Sequence, residues 1–269
     1  MIEFLIYWLQ LLGGTLGTLV ACGLLVHVIF RMFSRLIGSR LRGWFYVTSI
    51  IGTPVHELGH AIMCKLFFHR ITAMRLWIPK PTNGVYGYVE HSYSRKNPWA
   101  KFGNLFIGMG PLFSGLGIIV LCLGLCFPTL WGDYLAHTSE LMPQDGGLLP
   151  LEEIARGVLL LLKGIPNAFR ADWLKSAVGL LVILFVALHI SLSPLDIKSS
   201  LGALPIYMLL LALVACATVR TPAATAVPEW LLLINLRLIA LFALVIGFAL
   251  VWLAFAAVVR FIRLFISWF

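Results

Sequence analysis

Long apolar windows alternate with short polar connectors along the whole chain. Residues 4–30, 103–132, 176–195, 199–219 and 238–259 contain no Asp, Glu, Lys or Arg. Each is about as long as, or longer than, the roughly 20 residues an α-helix needs to cross a hydrocarbon core about 30 Å thick. A sixth window, 43–64, is apolar apart from one polar motif. Backbone groups facing lipid must be satisfied within their own segment, so all six windows are predicted as helices. The expected fold is an all-α integral membrane protein, one polytopic domain over 1–269, with spans at 4–30, 43–68, 103–127, 174–195, 199–219 and 236–259. The first window lacks a basic leader, is too long for a signal-peptide core and has no small-residue cleavage site before Arg31, so it is expected to stay as an anchor.

Two connectors have a pattern of their own. Residues 70–99, RITAMRLWIPKPTNGVYGYVEHSYSRKNPW, carry β-formers on both sides of Pro79–Gly84. That turn chemistry predicts a membrane-associated β-hairpin after the second span. Residues 133–147, DYLAHTSELMPQDGG, read as a polar loop. Residues 149–165, LPLEEIARGVLLLLKGI, follow as a helix that either lies in the interface or serves as a connector covering the domain.

Composition agrees with the pattern: 61% of residues are hydrophobic and 12% charged, against about 25% charged in soluble domains. The net charge of +9 raises the question of nucleic acid. However, the basic residues sit at span ends, Arg31, Arg35, Arg40 and Arg42 in one connector and Arg70 to Lys101 in the next, rather than among aromatics on one domain. They are read as headgroup anchors, with the lipid bilayer as partner and no nucleic acid. The five cysteines, Cys22, Cys64, Cys122, Cys126 and Cys216, fall in or beside spans without C-x-x-C spacing and are read as buried packing residues, not disulfides.

The polar motif in the sixth window is TPVHELGHAIMC, residues 53–64. His56 and His60 are one helical turn apart, so both can reach one metal ion. Glu57 is placed to act as a base toward the attacking water rather than as a ligand. About 0.005 such H-E-x-x-H matches are expected by chance in this composition. A satisfied polar cluster pinning helices is the plainer alternative, but a glutamate at membrane depth costs a few kcal/mol and by default faces a cavity or site. A catalytic zinc takes three protein ligands. The membrane-depth candidates for the third are His27, His189 and Asp196. Asp196 is favoured, because Pro194 and its flanking serines in HISLSPLDIKSS break the helix where a wet cavity would have to be. On a continuous helix His189 would lie two turns away on the same face, as a supporting or transition-state donor or a packing residue.

With these residues in hand, the chain resembles the site-2 protease class of intramembrane zinc metalloproteases, as a divergent member. The likeness rests on His56, Glu57 and His60 in an early span, Leu195 and Asp196 ending a later one, and Gly110 and Pro111 between them. Ser114 stands where the family has asparagine, and Ile197 where it has glycine. The resemblance implies zinc held by His56, His60 and Asp196, with Glu57 as catalytic base. Gly110, Pro111, Ser114 and Ser193 become candidate substrate contacts. It also implies a bacterial cytoplasmic-membrane location, with the hairpin and the amino terminus in the cytosol. The expected activity is hydrolysis of a peptide bond in a membrane protein, a single-span segment that unwinds to expose its carbonyls and pairs along the hairpin edge. The competing expectation is a noncatalytic scaffold, or a subunit controlled by a regulatory membrane partner, that retains fold and zinc.

Overall fold

The computed structural model describes residues 1–37, 42–81, 84–139 and 151–266. Arg40 of the first basic connector, Thr82 and Asn83 of the expected hairpin turn, residues 140–147 of the expected polar loop and residues 149–150 of the helix expected after it lie outside the described residues. The chain is predominantly helical, with one two-stranded sheet.

Helices α1 (Ile2–Leu12) and α2 (Thr18–Ile37) join through one π-helical turn, Gly13–Gly17, into a single apolar rod. The turn widens where three glycines and Thr15 loosen the backbone ladder. Its freed groups find partners: the Asn235 amide donates to the Gly14 carbonyl at 2.6 Å, and the Thr15 hydroxyl to the Leu11 carbonyl at 2.6 Å. Helix α3 (Arg42–Leu66) carries the polar motif. Strands β1 (Arg70–Arg75) and β2 (Tyr88–Ser92) pair antiparallel, Arg70 opposite Ser92, with a bulge between Ile71 and Ala73. The expected hairpin is therefore present, and the Ile78 amide bonding the Tyr86 carbonyl at 2.7 Å extends its pairing past β1.

Helix α4 (Pro98–Cys126) starts at Asn97, whose side chain accepts from the amides of Trp99 and Ala100, with Pro98 in the first turn where its missing N–H costs nothing. It is the central helix, buried along most of its length and packed by α3, by α7 (Trp173–His189) and by α8 (Pro194–Leu201). The expected polar loop is helical over Asp133–Ser139, as part of α5 (Pro128–Ser139). That segment is fixed by α6 (Leu151–Ala171): His137 Nε2 donates to the Glu153 carbonyl at 2.8 Å. The helix read from residue 149 is therefore α6, packed on α5, α7 and α10 (Ala223–Ile266).

Three helices among the described residues are long and apolar enough to cross a membrane: Ile2–Leu36, Pro98–Cys126 and Ala223–Arg263. A fourth crossing results if α7 and α8, bent by 60° at their break, count as one. The expected span 199–219 is divided. Residues 199–201 close α8, and the apolar helix α9 (Leu204–Thr218) has 15 residues, about 22 Å of rise. Helix α3 is long enough but too polar to join the three. Apolar side chains such as Leu121, Leu125, Leu209, Leu213, Val251 and Phe261 point outward, as a lipid-facing surface requires. Cys216, read as buried, is on this outer face of α9.

Candidate metal centre

Two helices meet at backbone contact to build the site. A Cβ on Gly59 of α3 would collide with the Gly110 carbonyl and Ser114 Oγ of α4, and one on Gly110 would meet the Gly59 carbonyl group. Only glycine lets the axes come this close, and the approach falls next to His60. On α3 the rings of His56 and His60 lie 5.0 Å apart at 72°, one turn from each other. Each ring is oriented through Nδ1. His56 donates to the carbonyl of His189 at 2.8 Å, and His60 to the carbonyl of Ile107 at 2.7 Å.

Those bonds decide the chemistry of the other ring nitrogens. With Nδ1 carrying the proton in both neutral rings, each Nε2 presents a lone pair. The two Nε2 atoms face each other at 3.3 Å. Asp196 joins them, Oδ1 at 3.3 Å from His60 Nε2 and Oδ2 at 3.8 Å from His56 Nε2. Two imidazole nitrogens and a carboxylate thus converge on one point, where either a shared proton or a metal cation can bridge them. Bond lengths of about 2.0–2.1 Å would set tetrahedral ligand atoms about 3.3–3.4 Å apart. The donor set and its spacing fit a zinc-type ion.

Asp196 is held by the start of α8. Ser193 caps that helix, its Oγ accepting from the Asp196 amide at 3.2 Å, while Asp196 Oδ2 accepts from the Ser193 amide at 2.7 Å. This reciprocal capping box, with Pro194 in the first turn, turns the carboxylate back toward α3. The break between α7 and α8 means that His189 and Asp196 do not share a continuous helix. Instead, His189 supports His56 through its backbone oxygen. Its ring packs on Phe45 at 4.9 Å, and its Nδ1 donates to the Phe185 carbonyl at 3.0 Å. His27 Nδ1 and His189 Nε2 are buried without hydrogen-bond partners, and both residues line a cavity of about 260 Å³ beside His56 and Glu57.

An adjoining cavity of about 410 Å³ is lined by His56, Glu57, His60, Ser193 and Asp196 on one side and by Tyr88, Val89 and His91 of β2 on the other. Glu57 therefore faces both cavities. Burial, and then the neighbouring imidazoles of His69 and His60, hold His91 below its ordinary pKa. Ser193 lines both cavities. Gly110, Pro111 and Ser114 line neither: the first two are buried in α4, and Ser114 Oγ donates to the Val55 carbonyl of α3 at 2.8 Å.

Two parts of the site carry no weight in the sequence reading. The orienting carbonyls of His189 and Ile107 are backbone atoms and leave no residue signal. The roof over Glu57 is residues 84–87, where a Cβ on Gly87 would press on the side chains of Thr53 and Glu57 at 2.7 and 2.8 Å. A glycine inside the β-pattern VYGYVE was its available sign, since such glycines mark close backbone approach. No family model, curated protein or solved structure matches the chain, so the chemistry of the site is read from its own residues.

Proposed function

We propose that the chain is a multi-pass membrane zinc endopeptidase, a divergent member of the site-2 protease class, that hydrolyses a peptide bond of a membrane protein within or near the bilayer. The carrying observation is the convergence of three ligand-type groups, His56 Nε2, His60 Nε2 and the Asp196 carboxylate, beside a further carboxylate, Glu57, on the same cavity. In this reading the rod α1–α2, α3, α4, the bent pair α7–α8, α9 and α10 make six crossings of a bacterial cytoplasmic membrane. The irregular backbone at 190–193 then lies at membrane depth, which is tolerated because it lines a cavity.

His56, His60 and Asp196 hold the metal. Zinc, when bound, supplies Lewis acidity that makes water a nucleophile near neutral pH and polarises a carbonyl. Glu57 takes the proton of the attacking water on its carboxylate and delivers it to the leaving amine. Val89 and Tyr88 place a strand along the cavity wall, where an unwound substrate segment can add as a further strand. The decisive experiment compares membrane proteomes of cells carrying wild type and Glu57→Gln. Accumulation of an uncleaved single-span protein in the variant supports the reading, and identical proteomes argue against it.

The second reading, a scaffold or partner-controlled subunit, is favoured by the roof. Gly87 rests against Glu57 and Thr53, so residues 84–87 narrow the approach to the base, and a partner that shifts them would control it. Bound zinc with no turnover in the purified chain, and turnover restored by a membrane partner, would select it.

A further inference from the structure

Cys64, His69 and His91 form a second group of three ligand-type side chains among the described residues, their donor atoms all within 4.8 Å of one another. The hydrolase reading uses none of them. Cys64, 0% exposed, is in the last turns of α3; His69, 3% exposed, immediately precedes β1; and His91 is on β2, opposite Ile71. Three separate pieces of chain therefore contribute one donor each.

The end of α3 is shaped to bring the first two together. The His69 amide donates to the Cys64 carbonyl at 2.8 Å and the Phe68 amide to the Lys65 carbonyl at 3.3 Å, the paired bonds of a Schellman turn. Its left-handed position is normally glycine. Here it is Phe68, at φ 58° with an exposed side chain. The chain accepts a strained residue whose side chain packs little, and the turn it makes sets His69 beside Cys64.

His69 is then oriented as a metal-bound histidine is. Its Nε2–H donates to the Ala100 carbonyl at 2.7 Å, which leaves Nδ1 with a lone pair that accepts a hydrogen bond from His91 Nδ1–H, 2.9 Å away. A cation entering between the two rings takes the place of that hydrogen, His91 moving its proton to Nε2 as the rings part slightly. Tyr93 stacks over the ring at 4.5 Å. A carbonyl on the far nitrogen that fixes tautomer and ring angle is the usual outer partner of a ligating imidazole.

We infer that Cys64, His69 and His91 bind a thiophilic cation of the zinc class. One sulfur and two imidazole nitrogens suit that ion, and binding releases the thiol proton to solvent. The cation ties the end of α3 to β2. Because His91 also lines the larger cavity, occupancy of this site sets how firmly the hairpin is held against the first one. The inference does not depend on the hydrolase reading.

Cobalt(II) separates the two sites, since only a cysteine-containing site gives a thiolate-to-cobalt charge-transfer band. The full chain, purified in detergent and stripped by chelation, should take up two equivalents of cobalt, with that band appearing for one of them. Cys64→Ser should lose the band and one equivalent; a His56→Ala, His60→Ala double variant should keep the band and lose the other equivalent. A wild type that binds one equivalent with the band supports this site and removes the metal of the proposed hydrolase. Absence of the band in wild type, or its survival in Cys64→Ser, overturns the inference. The wild-type spectrum needs no substitution, so a misfolded variant does not rescue it.

Discussion

Glu57 and Asp196 are both carboxylates beside the same two imidazoles, and the backbone separates their roles. Asp196 is turned toward His60 and His56 by its capping bonds with Ser193, whereas Glu57, on α3 itself, faces the cavities. Glu57→Gln keeps shape but loses basicity, so it should retain zinc and fold while turnover disappears. Elemental analysis beside a cleavage assay checks both halves, and residual cleavage in the variant would remove Glu57 as the base. Asp196→Ala should lower zinc content and activity together. His189→Ala keeps the carbonyl that accepts from His56, so zinc should remain largely bound at saturating metal. Normal zinc in Asp196→Ala with loss in His189→Ala would reverse the ligand assignment. The histidine pair was legible in the sequence because helical spacing alone brings i and i+4 together. Asp196 was legible because membrane-depth acids are scarce and Pro194 breaks a helix. The carbonyls that fix each ring had no letter to read.

Among the elements, the crossing of α3 and α4 positions the most. Gly59→Ala puts a methyl group into the Gly110 carbonyl, and overpacking of this kind costs about 1–3 kcal/mol. It should lower the thermal midpoint in detergent and weaken zinc binding without touching a ligand. Unchanged values for both would show that the helices can part freely. The turn after α3 works in the opposite sense. A residue with a Cβ held left-handed costs about 1–2 kcal/mol, offset in part by the greater freedom glycine has when unfolded. Phe68→Gly should therefore raise the thermal midpoint of the metal-free chain, and a fall would mean that the exposed ring has a packing role. Element type was largely legible here, because long apolar windows and the turn residues at 79–84 carry strong local signals. Element ends were less so. The Ser193-x-x-Asp196 capping box starts a helix that claims residues 199–201, which a hydropathy window assigns to the next span.

At the scale of the whole molecule, α4 is the shared wall: α3, α7 and α8 pack on it, and the candidate ligands His56, His60 and Asp196 reach the cavity from α3 and α8. The meeting of Asp196 with the two histidines was expected from the sequence, but the packing of α3, α7 and α8 on α4 was not, because it depends on which distant segments touch; the approach of His91 to the end of α3 is the clearest case. Helix α10 illustrates another whole-molecule constraint. Its 44 residues rise about 66 Å, twice the hydrocarbon thickness, so a cysteine introduced near one end should be labelled by a membrane-impermeant maleimide. Full protection of both ends would require a strongly tilted helix. The seat of Gly87 on Glu57 has a kinetic consequence on the hydrolase reading. If residues 84–87 must shift for each peptide, and do so more slowly than the bond breaks, that motion sets the turnover number. An ester and an amide presented in the same peptide should then be cleaved at nearly equal maximal rates, despite very different intrinsic reactivities. A large ester preference would mean the roof opens faster than the bond breaks.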